Sequence, residues 1–216
     1  MKLHTLFISI SLLFISMSAH AAQWYHVELI VFEQLDTVTD EQWPEMDKKV
    51  TASFSPSSNN SLIHSTGVST LVNDAARLNR SSKYRVHYHR AWQQPIMRKR
   101  SAKSVKVGSG MLDGKIRLYK STYLHAALDL WLLENKPLTA TFVDDENYLT
   151  SDTLVRNPHL EESRRIRTKK LYFFDHPKLG ALLKIVPIKS PASQQQSEQS
   201  LETFSLPSEA VAIVSE

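Results

Sequence analysis

A period of two dominates the hydrophobic pattern of this chain. Residues 24–32, WYHVELIVF, are apolar, aromatic or β-branched almost throughout and contain no breaker, which predicts a central strand buried on both faces. Residues 36–65 are polar, with Pro44, Pro56 and an SPSSNNS run, and predict a long surface excursion. Helical spacing follows: Leu71, Val72, Ala75 and Leu78 fall on one side of a helix over about 70–79, with Ser69 as its cap. Residues 84–92, YRVHYHRAW, alternate again, placing Val86, Tyr88 and Trp92 on one face and Arg85, His87 and His89 on the other.

Between 116 and 132 every second residue is apolar or Thr, from Ile116 and Leu118 to Leu130 and Leu132, with Lys120 the one break. This predicts one long or bulged strand. A helix over 123–134 is the alternative, because Leu124, Leu128 and Trp131 also fit that spacing. Asp144 to Glu146 and Asn157-Pro158 mark an acidic loop. Residues 161–174 read as a strand, Asp175-His176-Pro177 as a turn leading into a short helical turn through Gly180, and 182–188 as a last strand. The expected fold class is α+β: an antiparallel sheet of about five strands with one main helix on a face and long polar loops. It occupies residues 22–189, and a glutamine-rich tail over 190–216 is expected to be disordered.

The N-terminus changes the picture of where this domain works. Lys2 precedes an uncharged apolar run to Met17, and Ala19-His20-Ala21 has the small-x-small form of a cleavage site. Residues 1–21 therefore read as a secretory signal peptide, too short to span a bilayer, and no later stretch is apolar enough to do so. The periplasm is the expected location. Zero cysteines exclude disulfide scaffolds, thiol nucleophiles and lipid attachment through cysteine. Five glycines leave no room for a glycine-rich phosphate cradle.

Charge is the next informative feature. The formal net charge is +4, but residues 22–76 carry 2 basic and 8 acidic side chains, residues 77–120 carry 13 basic and only Asp113, and residues 121–216 carry 10 basic and 13 acidic. The middle window also interleaves Tyr84, Tyr88, Trp92 and Tyr119. Cations attract carboxylates or phosphates and rings stack on sugars or bases, so an anionic polymer is the expected ligand. DNA meets the same physics, but the signal peptide points to a cell-envelope polymer and to no nucleic acid. His87, His89 and His125 would suit zinc, yet the surrounding cations repel a dication, so no metal and no cofactor is expected. Glu28, Asp129, Glu134 and Asp175 show no catalytic spacing for glycan cleavage, and no G-x-S-x-G elbow is present. The chain is therefore read as a non-enzyme, with a peptidoglycan hydrolase and a pure protein-interaction module as the alternatives.

Four blocks carry a resemblance: WYHVELIVF at 24–32, ARLNRSSKYRVHYHRAWQQP at 76–95, GKIRLYKSTYLHAALDLWL at 114–132 and RRIRTKKLYFFDHPKLGALLKI at 164–185. In this order they resemble the CsiV-type family of periplasmic peptidoglycan-binding proteins. The resemblance implies a non-enzymatic, wall-associated protein supporting cell-wall synthesis and cell shape. Its implied partners are peptidoglycan, a class A bifunctional penicillin-binding protein and that synthase's outer-membrane lipoprotein activator. It assigns no binding residues. Charge and aromatics within the matching blocks point instead to Arg85, His89, Arg90, Tyr123, His125, Arg164, Arg165 and Arg167, with arginines for carboxylates and rings for sugar faces.

Overall fold

The computed structural model describes residues 22–46, 55, 62–134, 140–144, 147–151 and 156–191. Residues 1–21, expected to be a signal peptide, and most of the tail lie outside these. Among the described residues eleven strands and one helix follow in order: β1 Trp24–Gln34, β2 His64–Ser65, α1 Val72–Arg80, β3 Tyr84–Pro95, β4 Ser104–Lys106, β5 Leu112–Lys120, β6 Leu124–Leu132, β7 Ala140–Asp144, β8 Asn147–Ser151, β9 His159–Ile166, β10 Leu171–Asp175 and β11 Leu179–Ile188.

The single five-stranded sheet expected from the pattern is in fact two sheets and a hairpin. One sheet has the order β10-β11-β1-β3-β2, the other β4-β5-β6-β9, and β7 pairs with β8 on its own where the acidic loop was expected. All named pairings are antiparallel. The chain builds β1 to β3, crosses to lay down β4, β5, β6 and β9, and returns with β10 and β11.

Three layers result: helix, five-stranded sheet, four-stranded sheet. Val27, Leu29 and Val31 of β1, Trp92 of β3, Phe174 of β10 and Leu183 of β11 meet Ile116, Leu128, Leu130 and Ile166 of the second sheet in one buried cluster. The opposite side of β1 supplies Ile30 and Phe32, which pack with Leu71 and Ala75. Being covered on both sides, β1 is buried at nine consecutive residues, which is why its sequence shows no alternation. Close approach is part of this packing: a Cβ on Gly180 would lie 2.3 Å from Cζ of Phe32.

Several local expectations are corrected. The run from 116 to 132 is neither one strand nor a helix. The chain turns at 121–123, where Ser121 N–H donates to the Tyr123 carbonyl at 2.9 Å, and the two arms pair as β5 and β6. Residues 161–174 likewise form two strands in different sheets, separated by a turn in which Lys169 takes a left-handed φ of 61°. Gly180 lies within β11, not in a helical turn. Val86 does not share a face with Tyr88 and Trp92. A bulge in the pairing at Val31/Phe32 sets Val86 opposite Phe32, so it joins the cluster under the helix. Val72 is exposed, and Ser69 caps nothing: the helix has no side-chain cap of its own.

Candidate functional site

The layering leaves the outer face of the four-stranded sheet without a covering helix or sheet among the described residues. Register identifies what stands on it. Inward-facing residues Ile116, Leu118, Ala126, Leu128 and Leu130 are buried, so the alternate positions face outward. Across the strands these pair as Tyr119 with His125, Arg117 with Ala127, Lys115 with Asp129, and as His125 with Arg165, Ala127 with Ser163, Trp131 with His159.

One end of this face is basic and aromatic. The Tyr119 and His125 rings stack with centroids 5.1 Å apart and planes within 4°. Lys99 Nζ sits 5.4 Å above the Tyr119 centroid, and the Arg165 guanidinium lies 3.2 Å over the exposed Tyr123 ring. The exposed cations Arg98, Lys99 and Arg100 follow β3 on the loop beside it, tied down where Lys120 N–H donates to the Met97 carbonyl at 2.8 Å and Arg117 donates to the Lys99 carbonyl. Among the described residues, none of Arg98, Lys99, Arg100, Arg165 and Arg167 makes an ion pair with a carboxylate. Tyr119 itself is buried, so the exposed Tyr123 ring and the cations around it are what this end offers to a polymer that presents apolar surface and carboxylates.

Three of the sequence-predicted residues, Tyr123, His125 and Arg165, come together here. Arg167 is exposed just past β9, its backbone N–H donating to the Tyr172 hydroxyl at 2.6 Å. The other four lie elsewhere. Arg164 is on the opposite side of β9 from Arg165, 4.6 Å over the Phe174 ring. It donates to the Phe173 carbonyl at 3.0 Å and from Nε to Glu162 at 2.6 Å, and so ties the edges of the two sheets together. Arg85 pairs with Glu33 at 3.6 Å, alongside His87 at 2.9 Å.

His89 and Arg90 stand on β3 of the first sheet, where they help Ser65, Thr66 and Ser69 line an open groove of roughly 500 Å³. At its base the fully buried Glu28 carboxylate accepts from the Ser69 hydroxyl, from Thr70 N–H at 2.7 Å and Leu71 N–H at 3.0 Å, and from the Thr70 hydroxyl at 2.8 Å. His89 Nε2 is 2.8 Å from it. Burial pushes this carboxyl up, but the Ser69, His89, Thr70 and Leu71 hydrogen bonds outweigh that and hold it at about 2. Glu28 thus fastens the chain entering α1 to the central strand. Ser69, His89 and Glu28 are not a nucleophile relay. Ser69 Oγ lies 3.2 Å from the same Nε2 that contacts Glu28, whereas a relay needs the base held through its other nitrogen.

Sequence reasoning missed Lys99 and Tyr119 as site members, and also a second outer-face cluster. Trp131 and His159 stack at 3.7 Å and 9°. His159 Nε2 contacts Asp129 Oδ1 at 3.0 Å and Lys115 Nζ contacts Oδ2 at 2.9 Å. The His159 hydrogen bond, helped by Lys115 and opposed by burial, holds Asp129 at about 2. Hairpin symmetry could have found part of this: once the turn is put at 121–123, Tyr119 faces His125 and Lys115 faces Asp129, whereas Lys99 and His159 join only through tertiary contacts. Among the described residues, no group of three or more His, Asp or Glu side chains is placed to hold a metal ion, and no helix is long and apolar enough to cross a membrane.

A family profile described as "Peptidoglycan-binding protein, CsiV" matches residues 3–188. The chain belongs to the CsiV family. The match covers all four blocks that carry the sequence resemblance, and the open face with its rings and cations lies within it. No curated protein and no solved structure matches this CsiV-family chain.

Proposed function

We propose that this CsiV-family protein is a non-enzymatic periplasmic peptidoglycan-binding protein that supports cell-wall synthesis and cell shape. In this reading it is an accessory to a class A penicillin-binding protein and that synthase's outer-membrane lipoprotein activator. The wall is bound through the open face of the four-stranded sheet, and the observation that carries this is the Lys99, Tyr119, His125, Arg165 and Tyr123 row. Its guanidinium and ammonium groups meet stem-peptide carboxylates, and the exposed Tyr123 ring adds an apolar surface beside them, while the buried Tyr119 supports the row from beneath. The leader-like residues 1–21 support the periplasm as the location. Membership of a family named for binding supports a role without catalysis.

Co-sedimentation with purified sacculi at rising salt tests the reading. The protein is expected to pellet with the wall at low salt and to be released progressively as salt screens the cations. If it stays in solution at low salt, wall binding is refuted. A clearing zone on a peptidoglycan zymogram would refute the non-enzymatic role.

A further inference from the structure

The open face is not uniform. At its basic end the cations lack carboxylate partners among the described residues. At the other end, six residues along β6 from His125, or about 20 Å at the usual rise of a strand, carboxylates stand beside the rings, with the exposed Glu161 opposite Asp129. Asp129 there is shared between Lys115 and His159, and the His159 ring is held flat against Trp131. Ala127 and Ser163, paired between the two ends, are small and leave a low saddle joining them.

We infer that the Trp131–His159 end is a subsite for the N-acetylated amino-sugar rings of the glycan strand, while the Tyr123–Arg165 end takes the carboxylates of the stem peptide. The division rests on the reading of this face as the wall-binding surface. The chemistry of the two ends separates the two ligands. A sugar ring is uncharged and presents C–H groups on its faces and hydroxyls on its rim. It is recognised by a rigid ring for stacking, with a carboxylate and an ammonium group beside it to accept and donate hydrogen bonds. Trp131, Asp129 and Lys115 supply these three. The His159–Asp129 bond fixes the imidazole, so little ordering remains to be done on binding. A carboxylate needs unneutralised donors, and those stand at the other end, where Arg165 rests on a ring and not on an acid. An extended polymer carrying peptides on a sugar backbone can engage both ends at once, gaining from effective concentration.

The test uses the purified protein and chitotetraose, a neutral oligomer of N-acetylglucosamine with no peptide and no carboxylate. Calorimetric titration should show saturable binding that barely changes with salt. His159→Ala should weaken it by about tenfold, the loss of one stacking partner and its anchor. Arg165→Gln should leave chitotetraose binding unchanged while reducing the salt-sensitive part of sacculus binding. Trp131→Phe, which keeps a packing ring, is the second variant if His159→Ala does not fold, and should weaken chitotetraose in the same direction. Failure of the wild type to bind chitotetraose, or equal losses in His159→Ala and Arg165→Gln, overturns the division while sacculus co-sedimentation leaves wall binding standing. Loss of wild-type co-sedimentation overturns wall binding and the subsite with it.

Discussion

Replacing Glu28 with glutamine tests whether the central strand holds the helix by a charge. The side chain is fully buried, and its carboxylate accepts two hydroxyl and two backbone N–H hydrogen bonds besides the His89 contact. Its pKa falls from 4.5 to about 2, which corresponds to about 3 kcal/mol of native-state stabilisation. Because the folded value is the depressed one, this stabilisation is fully present above pH 4.5 and is lost as pH falls towards 2. A glutamine side chain in its place keeps one acceptor oxygen but adds an N–H₂ group that faces other donors. Glu28→Gln should therefore cost about 3 kcal/mol in urea unfolding at neutral pH, a large part of the stability of an ordinary domain. The difference from wild type should narrow steadily between about pH 5 and pH 2 as the native carboxylate protonates. An unfolding midpoint unchanged at neutral pH would refute the reasoning, and so would a difference of constant size across that range, which would make shape and not charge the cause.

Two further predictions separate neighbouring roles. Arg164 and Arg165 are adjacent but point to opposite sides of β9. Arg164→Gln should cost about 1 kcal/mol of stability by removing its bonds to Phe173 and Glu162, with sacculus affinity unchanged. Arg165→Gln should leave the unfolding midpoint near wild type and lower sacculus affinity roughly tenfold at low salt, through loss of one charge-assisted contact; identical effects of the two substitutions would contradict the assignment of faces. Gly114 has a φ of 154°, and a Cβ there would lie 2.2 Å from the Asp129 carbonyl oxygen. Gly114→Ala should therefore strain both β5 and its pairing with β6, lowering stability by ~2–4 kcal/mol in thermal unfolding; a melting temperature within a degree or two of wild type would contradict it.

The chain itself wrote down most of the strands and none of their layering. A run such as WYHVELIVF can only be buried on both faces, and β1 is. The family, too, was legible in four sequence blocks, because their residue order survives without knowledge of contacts. What the pattern could not supply was where a run of alternation folds back. A period of two continues unchanged through a tight turn of suitable length, so β5 and β6 read as one strand. The same blindness fused β9 to β10, and one expected sheet became two.

That misreading bears directly on the site. Composition located cations and rings in the right blocks, but sequence adjacency says nothing about which sheet a strand joins. Arg85, His89 and Arg90 share a block with strong charge and aromatics, yet they belong to the five-stranded sheet, and His89 is bound up with the Glu28 anchor. Arg164 and Arg165 are one residue apart and therefore on opposite faces. Lys99 reaches Tyr119 only because the loop after β3 is tied to the end of β5, and Trp131 reaches His159 only through the pairing of β6 with β9. The sequence by itself determined the strand-forming segments, the uneven charge and the family. The tertiary structure alone decided which rings and cations share a surface, because the register between strands distant in the chain is set by burying Ile116, Leu128, Leu130 and Ile166 against the central sheet.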